Sequence, residues 1–271
     1  MSVLGLGLRR GWIELRLTLT NTGEMLGWLW FPAMALVVMY VLRDNTVPGT
    51  DFSLGAQSVP GILGMNVVMT GLVGLAMALS TDRGDGTLLR AKATPNGTVG
   101  YLVGRVLSQA GMTVATLLAV LVPAAFLFDG LAPNWVVLVF VLVLGLVATL
   151  PIGALLGSLF VNPQNLGFVM LLVMVLVGIS GVFYPVTALP EWLQWVAQVF
   201  PLYWLGLGMR WALLPDGLAV VEIGESWRVL EMVGVLGVWT VVGFLLVPAV
   251  LRRSARRVTG HALPAEPATR S

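Results

Sequence analysis

The chain has 271 residues, of which 58% are hydrophobic and 10% charged, with a formal net charge of +2 and a mean hydropathy of +0.92. Those values lie outside the range of soluble globular proteins. The absence of cysteine also excludes disulfides, thiol catalysis and cysteine-ligated metals.

In chain order, residues 12–20 alternate apolar and polar side chains, a period that on its own favours a strand. A lone strand beside a membrane has no pairing partner, so a short interfacial helix anchored by Trp12 is predicted. An apolar run at 25–42 follows without a small-residue cleavage site and reads as an anchor, not a signal peptide. Further runs at 59–80, 105–128, 135–161, 166–184 and 229–251 approach or exceed the ~20 helical residues that a ~30 Å bilayer core requires. Turn-rich links lie at 43–58, "DGLAPN" (129–134) and "VNPQN" (161–165). The fold class predicted is therefore all-α and polytopic, with one membrane domain over 1–257 and a disordered tail over 258–271.

The stretch 185–210 has a rival reading as a seventh span over 189–207. It contains a glutamate, glutamines and prolines, and as a span it would move the "RRSARR" cluster (252–257) to the outer side. Short helices that enter and leave the outer face fit better, marked by Pro185, Pro190 and Trp192 and broken at Pro201. Trp192, Trp195, Tyr203 and Trp204 suit a membrane–water interface. With six spans and a cytoplasmic N-terminus, Arg9, Arg10, Arg16, Arg83, Arg90, Lys92, Arg105 and the 252–257 cluster lie inside. Arg43, Arg210 and Arg228 then lie outside. Retention of basic residues on the cytoplasmic side favours that orientation, with both termini inside.

Chemical groups for catalysis are missing. A phosphate-binding loop needs a Gly-Lys pair, and the single lysine, Lys92, follows Ala91. The single histidine, His261, lies in the tail, and no acid lies near the middle of a predicted span. No catalytic or metal-binding residue is assigned, and nothing points to nucleic acid. Within the second span Asn66 and Thr70 fall four apart, on one helical face. An interhelical hydrogen bond is the first expectation for them; the second is a substrate path with Met69, where methionines adapt to varied apolar ligands. "GYLVG" (100–104) and "GALLG" (153–157) fit close helix packing within the chain.

The charges concentrate in "TDRGDGTLLRAKATP" (81–95), a loop between the second and third spans. Gly84 and Gly86 permit a sharp exit, Thr87 can cap a short helix, and Pro95 stops it. A solvated basic loop that merely fixes topology explains the charges but not Leu88 and Leu89. A short amphipathic helix presenting those leucines beside Arg90 and Lys92 suits docking on another protein.

This stretch resembles the loop pattern of ABC-2 type exporter permeases, the family that includes daunorubicin-resistance and polysaccharide-export permeases. "SGVFYPVTALPEWLQWVAQVFPLYW" (180–204) is similar to that family's second pattern, and "FP" at 31–32 to its first-span proline. The resemblance covers roughly 12–257. It implies six spans, an N-terminal interfacial helix, a cytoplasmic coupling helix and re-entrant outer helices before the last span. It also implies that Asp82, Arg83, Gly86, Thr87, Leu88, Leu89, Arg90, Lys92, Thr94 and Pro95 form the contact for a separate cytoplasmic ATPase, present in two copies. ATP and magnesium would be bound by that ATPase and not by this chain. A second permease copy or a related subunit would complete a bacterial plasma-membrane exporter of apolar or amphipathic molecules such as drugs, antibiotics or lipids. The alternative is a non-transporting membrane scaffold or sensor that docks a partner through the same loop.

Overall fold

The computed structural model describes residues 3–41, 43–47, 50–93, 97–160 and 163–259. Among them the regular structure is helical, with one isolated bridge between Thr46 and Ser53. Among the described residues, five helices are long and apolar enough to cross a membrane: Thr22–Val41, Leu54–Gly84, Gly97–Leu127, Trp135–Leu159 and Val229–Leu246. The described membrane part thus agrees with the all-α expectation. The expected sixth run is shorter than its apolar composition suggested, a helix of 14 residues over Leu166–Ile179, or about 21 Å. It stops there because Gly181 takes φ +64° and turns the chain, and the Ser180 hydroxyl donates to the Leu176 carbonyl at 2.5 Å.

The N-terminal segment is a helix, α1 (Val3–Thr20), and α2 (Thr22–Val41) follows after a break at Asn21. The alternating pattern over 12–20 is overridden because α1 has a partner. It lies along α6 (Gly97–Leu127), and "GLRRG" (7–11) meets "GYLVG" (100–104). A Cβ on Gly11 would stand 2.7 Å from the Gly104 carbonyl oxygen, so the two backbones touch only because side chains are absent.

The most enclosed of the five long apolar helices is the second, built from α3 (Leu54–Val68), a π-helical segment (Met69–Gly74) and α4 (Leu75–Gly84). The Ser53 side chain caps its start by accepting from the Ala56 amide. A short helix, α5 (Thr87–Lys92), precedes α6. Then come α7 (Trp135–Leu159), capped by Asn134, and α8 (Leu166–Ile179). The "GALLG" stretch of α7 packs on the π segment and α4. A Cβ on Gly153 would meet the Leu72 carbonyl at 2.6 Å, and one on Gly157 the Ala76 carbonyl at 2.6 Å. Both small-residue motifs thus serve internal packing.

Between α8 and the last helix, α11 (Val229–Thr259), the chain forms α9 (Glu191–Val199) and α10 (Pro201–Leu213). Pro190 precedes the first turn of α9 and Pro201 opens α10, where a missing amide hydrogen costs nothing. Pro185 precedes a 3-10 turn over Val186–Ala188. α10 is buried along nearly its whole length against α3 and α7, and Gly64 of α3 faces Gly206 of α10 with no room for a Cβ.

Two sequence expectations need correction in this region, and a third gains detail. Tyr203 and Trp204 are core residues, with only Trp192 and Trp195 exposed, because α10 is enclosed while α9 lies at the surface. Arg210, expected on the outer side, is a buried charge. It is 1% exposed, its Nε lies 2.7 Å from Glu222 Oε1, its Nη2 donates to Glu222 Oε2 at 3.3 Å, and its Nη1 donates to the Gly181 carbonyl at 3.0 Å. Helix α11 runs to Thr259, two residues into the predicted tail, whose remainder lies outside the described residues.

Candidate functional site

Two places in the fold bring together the residues that the sequence singled out. The first is the α5 end of the bundle. At the last turns of α4, Asp82 points inward and is buried. Its Oδ2 accepts hydrogen bonds from the Tyr101 hydroxyl at 2.5 Å and from Arg105 Nε at 2.6 Å, and its Oδ1 accepts from Arg105 Nη2 at 2.5 Å. The two-point grip of a planar guanidinium on a carboxylate fixes angle as well as distance. Arg105 also faces Glu14 of α1, with Nη1 at 3.4 Å from Oε2, and Glu14 accepts from Arg10 Nε at 2.8 Å. Arg10 in turn lies over the Tyr101 ring, 4.8 Å from its centre. Arg83 leaves α4 on another side and donates to the Ser158 carbonyl at the end of α7.

Beyond α4 the chain turns sharply. Gly86 has φ +75°, a conformation that side chains with a Cβ adopt rarely. The cap on α5 comes from Asp85, not from Thr87: the Asp85 carboxylate accepts from the Thr87 amide at 2.9 Å. That bond holds the Asp85 carboxyl below its usual range. Leu88 is half-buried and packs with Leu75, Leu79 and Tyr101. Leu89, by contrast, is 57% exposed, and Arg90 beside it is exposed while bonding Thr87 Oγ1 through Nη2 at 3.2 Å. Thr94, Pro95 and the side chain of Lys92 lie outside the described residues. The tip that α5 presents is therefore Leu89 and Arg90, on a base built by Asp82, Arg83 and Leu88.

The second place lies midway along the bundle. The π segment begins 15 residues into its helix, about 22 Å from its start. Asn66, Met69 and Thr70 line a cavity of about 290 Å³ there, walled by α2 on one side and by Met170 and Met174 of α8 on another. The same residues bond across to α6. Asn66 Oδ1 accepts from the Thr116 hydroxyl at 3.0 Å, and the hydroxyls of Thr70 and Thr113 meet at 2.7 Å. Gln109 Nε2 donates to the Thr70 carbonyl at 2.6 Å, inside the segment where α-helical pairing is disturbed. The interhelical hydrogen bonding expected of Asn66 and Thr70 is present, and both residues also line the cavity. Gln109, Thr113 and Thr116 were missed, although their spacing of four and three puts them on one face of an otherwise apolar helix.

A family model described as ABC-2 family transporter protein matches residues 37–248, from within α2 through most of the chain. No curated protein matches the sequence.

Proposed function

The chain belongs to the ABC-2 transporter family, and from that membership and the geometry above we propose that it is the membrane subunit of an ATP-driven exporter of apolar or amphipathic molecules. Its spans in this reading are α2, α3–α4, α6, α7, α8 and α11. The α5 end faces the cytoplasm, the α9–α10 pair re-enters from the outer side, and both termini are inside a bacterial plasma membrane. Two permeases, identical or related, associate with two cytoplasmic ATPases that bind ATP and magnesium.

The observation that carries the reading is the α5 tip. Leu89 and Arg90 stand out from a base whose charged groups are bonded inward. An exposed leucine next to an exposed cation suits a groove on a partner protein. Asp82 and Arg83 then act by positioning: they fix α5 to α1, α6 and α7, so that displacement of the tip moves the helix bundle. α4 transmits that displacement to the π segment, about ten residues or 15 Å away, where the cavity changes its access. The cavity lining of Asn66, Met69 and Thr70 is the proposed substrate path.

Co-expression with the ATPase of its own operon and reconstitution into vesicles tests this. ATP should drive movement of an apolar dye across the bilayer, and only with both subunits present. A stable complex that moves no dye and no lipid would favour the scaffold reading.

A further inference from the structure

A groove runs between α2 and α6, apart from the two places described above. Among the described residues its walls come from those two helices, with Leu29, Ala33 and Tyr40 on one side and Ala119, Pro123 and Leu127 on the other. Ala33 and Ala119 stop at a methyl group among longer neighbours, so a space of about 310 Å³ stays unfilled. Apart from the Tyr40 hydroxyl, the lining side chains are hydrocarbon. From Leu29 to Tyr40 the helix rises about 16 Å, roughly the depth of one leaflet of a ~30 Å bilayer core. Spread over that length, the space is far narrower than a helix, which is ~10–12 Å across with its side chains. A single extended hydrocarbon chain has the shape that fits.

One end of the groove meets charge. The Arg43 guanidinium lies over the Tyr40 ring, 4.2 Å from its centre. Arg43 follows the last turn of α2 and stands beside the start of α3, hence at the end of the bundle opposite α5. Its side chain is 46% exposed, and among the described residues its anionic neighbour is Asp44, with Oδ1 at 3.8 Å from Nε. That separation exceeds a hydrogen bond. Asp44 is itself 91% exposed, so both charges are open to another partner. A guanidinium presents a planar fork of donors that matches a phosphate. Asp44 beside it disfavours a second anion and accepts from an ammonium. A positive and a negative group thus stand side by side at the mouth of a groove for one chain.

We propose that this groove holds one acyl chain of a phosphatidylethanolamine from the leaflet opposite the α5 end, with its phosphate on Arg43 and its ammonium on Asp44. Charge complementarity selects that occupant. Phosphatidylglycerol can set its phosphate on Arg43 but offers Asp44 no cation. The ammonium of phosphatidylcholine has no hydrogen to donate. A helix of a second copy is too wide to enter the groove. The inference needs α2 and α6 to cross the membrane, and it is independent of the ATPase and of the substrate path.

The test is native mass spectrometry of the full chain, purified in detergent, stripped of lipid and titrated with one phospholipid at a time. The probes are the palmitoyl-oleoyl forms of phosphatidylethanolamine, phosphatidylglycerol and phosphatidylcholine. The first phosphatidylethanolamine should bind about tenfold more tightly than the first molecule of either other lipid, as one charge-assisted hydrogen bond suffices for that ratio. Arg43→Gln should weaken that step about tenfold for the same reason. Asp44→Asn should bring phosphatidylethanolamine and phosphatidylglycerol within about twofold of each other, because what separates them is the ammonium on that carboxylate. Ala119→Phe should fill the groove and remove the tight first step for phosphatidylethanolamine. Ala119 is exposed on the groove wall, and Arg43 and Asp44 lie in a turn outside the helices, so a folding defect in one variant leaves the others as the test. Equal affinities of the native chain for the three lipids, an unchanged first step in Arg43→Gln, or an unchanged one in Ala119→Phe would each overturn the proposal. So would a native dimer that Ala119→Phe splits without loss of bound lipid, which would put a second copy on this face. No ATPase or transported molecule enters the measurement, so any of these failures leaves the exporter reading standing.

Discussion

Arg105 grips Asp82 with two nitrogens, at 2.6 and 2.5 Å, and with its third reaches Glu14 at 3.4 Å. One guanidinium thus ties the N-terminal helix α1 and the last turns of α4 to α6, directly behind the α5 tip. A buried carboxylate without its cation costs several kcal/mol, whereas replacing both members by uncharged groups of similar volume costs far less.

Arg105→Met should therefore lower stability by about 3 kcal/mol, since it strands Asp82 in a buried position. Asp82→Asn in the same chain should recover much of that loss. Thermal unfolding of the purified protein in detergent reads both. If the double variant is as unstable as Arg105→Met, the arginine acts through packing of its stem and not through the carboxylate.

The two adjacent leucines of the tip should separate cleanly. Leu88 packs on the fold itself, so Leu88→Ser should lower the unfolding temperature, with a loss of about 1–2 kcal/mol for a half-buried leucine. Leu89 is mostly exposed, and Leu89→Ser should leave the unfolding temperature unchanged. It should instead weaken co-purification of the ATPase about tenfold, as burial of a leucine at an interface contributes about 1.5–3 kcal/mol. Arg90→Ala should act mainly on association rate and salt sensitivity. Full ATPase recovery with Leu89→Ser would return the loop to a topology signal.

Apolar run length alone made legible the five helices long and apolar enough to cross a membrane, because a bilayer imposes one length on every span. Prolines at 190 and 201 marked the starts of α9 and α10 for a local steric reason that needs no tertiary context. Other features depended on partners distant in the chain. The burial of Arg210 was not legible because Glu222, twelve residues on, offers no spacing that signals a buried pair. The alternation in 12–20 misleads until Gly7 and Gly11 are seen to meet Gly100 and Gly104. At the tip, Leu88 and Leu89 are chemically identical in sequence, and only the helix phase set by Gly86 sends one inward and one out. Asn66 and Thr70 were visible from their spacing, but their partners Thr116 and Thr113 appear only once α6 is placed opposite.

Arg210 and Glu222 form the matching bond at the other end of the bundle. Both are almost fully buried, and the arginine also holds the carbonyl of Gly181, where α8 ends. The pair thus pins α10 to the turn after α8 and to the 3-10 turn before α11. Arg210→Met should destabilise by about 3–5 kcal/mol through the stranded Glu222. Arg210→Met with Glu222→Leu should restore stability while leaving the Gly181 carbonyl without its donor, a residual cost of about 1–3 kcal/mol. Unfolding temperatures of the single and double variants check the order. Equal temperatures for the native chain and Arg210→Met would mean that the pair contributes nothing to holding the re-entrant helices.

The orientation is tested with single cysteines, which can be introduced freely because the chain has none of its own. The structure narrows the choice of positions. Ser53 is unsuitable, since its hydroxyl caps α3 and also donates to the Arg43 carbonyl at 2.7 Å. Ser226 is exposed in the loop before α11, and no hydrogen bond from its side chain is needed to hold that loop's 3-10 turns, which close through backbone bonds from Glu222 and Glu225. At the opposite end Gly84 is exposed, and an added Cβ there meets nothing within 4 Å. If basic residues set the topology, the end bearing Arg83 and Arg90 is cytoplasmic. On intact cells a membrane-impermeant thiol reagent should then modify Ser226→Cys and spare Gly84→Cys, and after lysis it should modify both. Labelling of Gly84→Cys in intact cells would put the α5 tip outside, where no ATP-binding partner could reach it, and would remove the exporter reading along with the orientation.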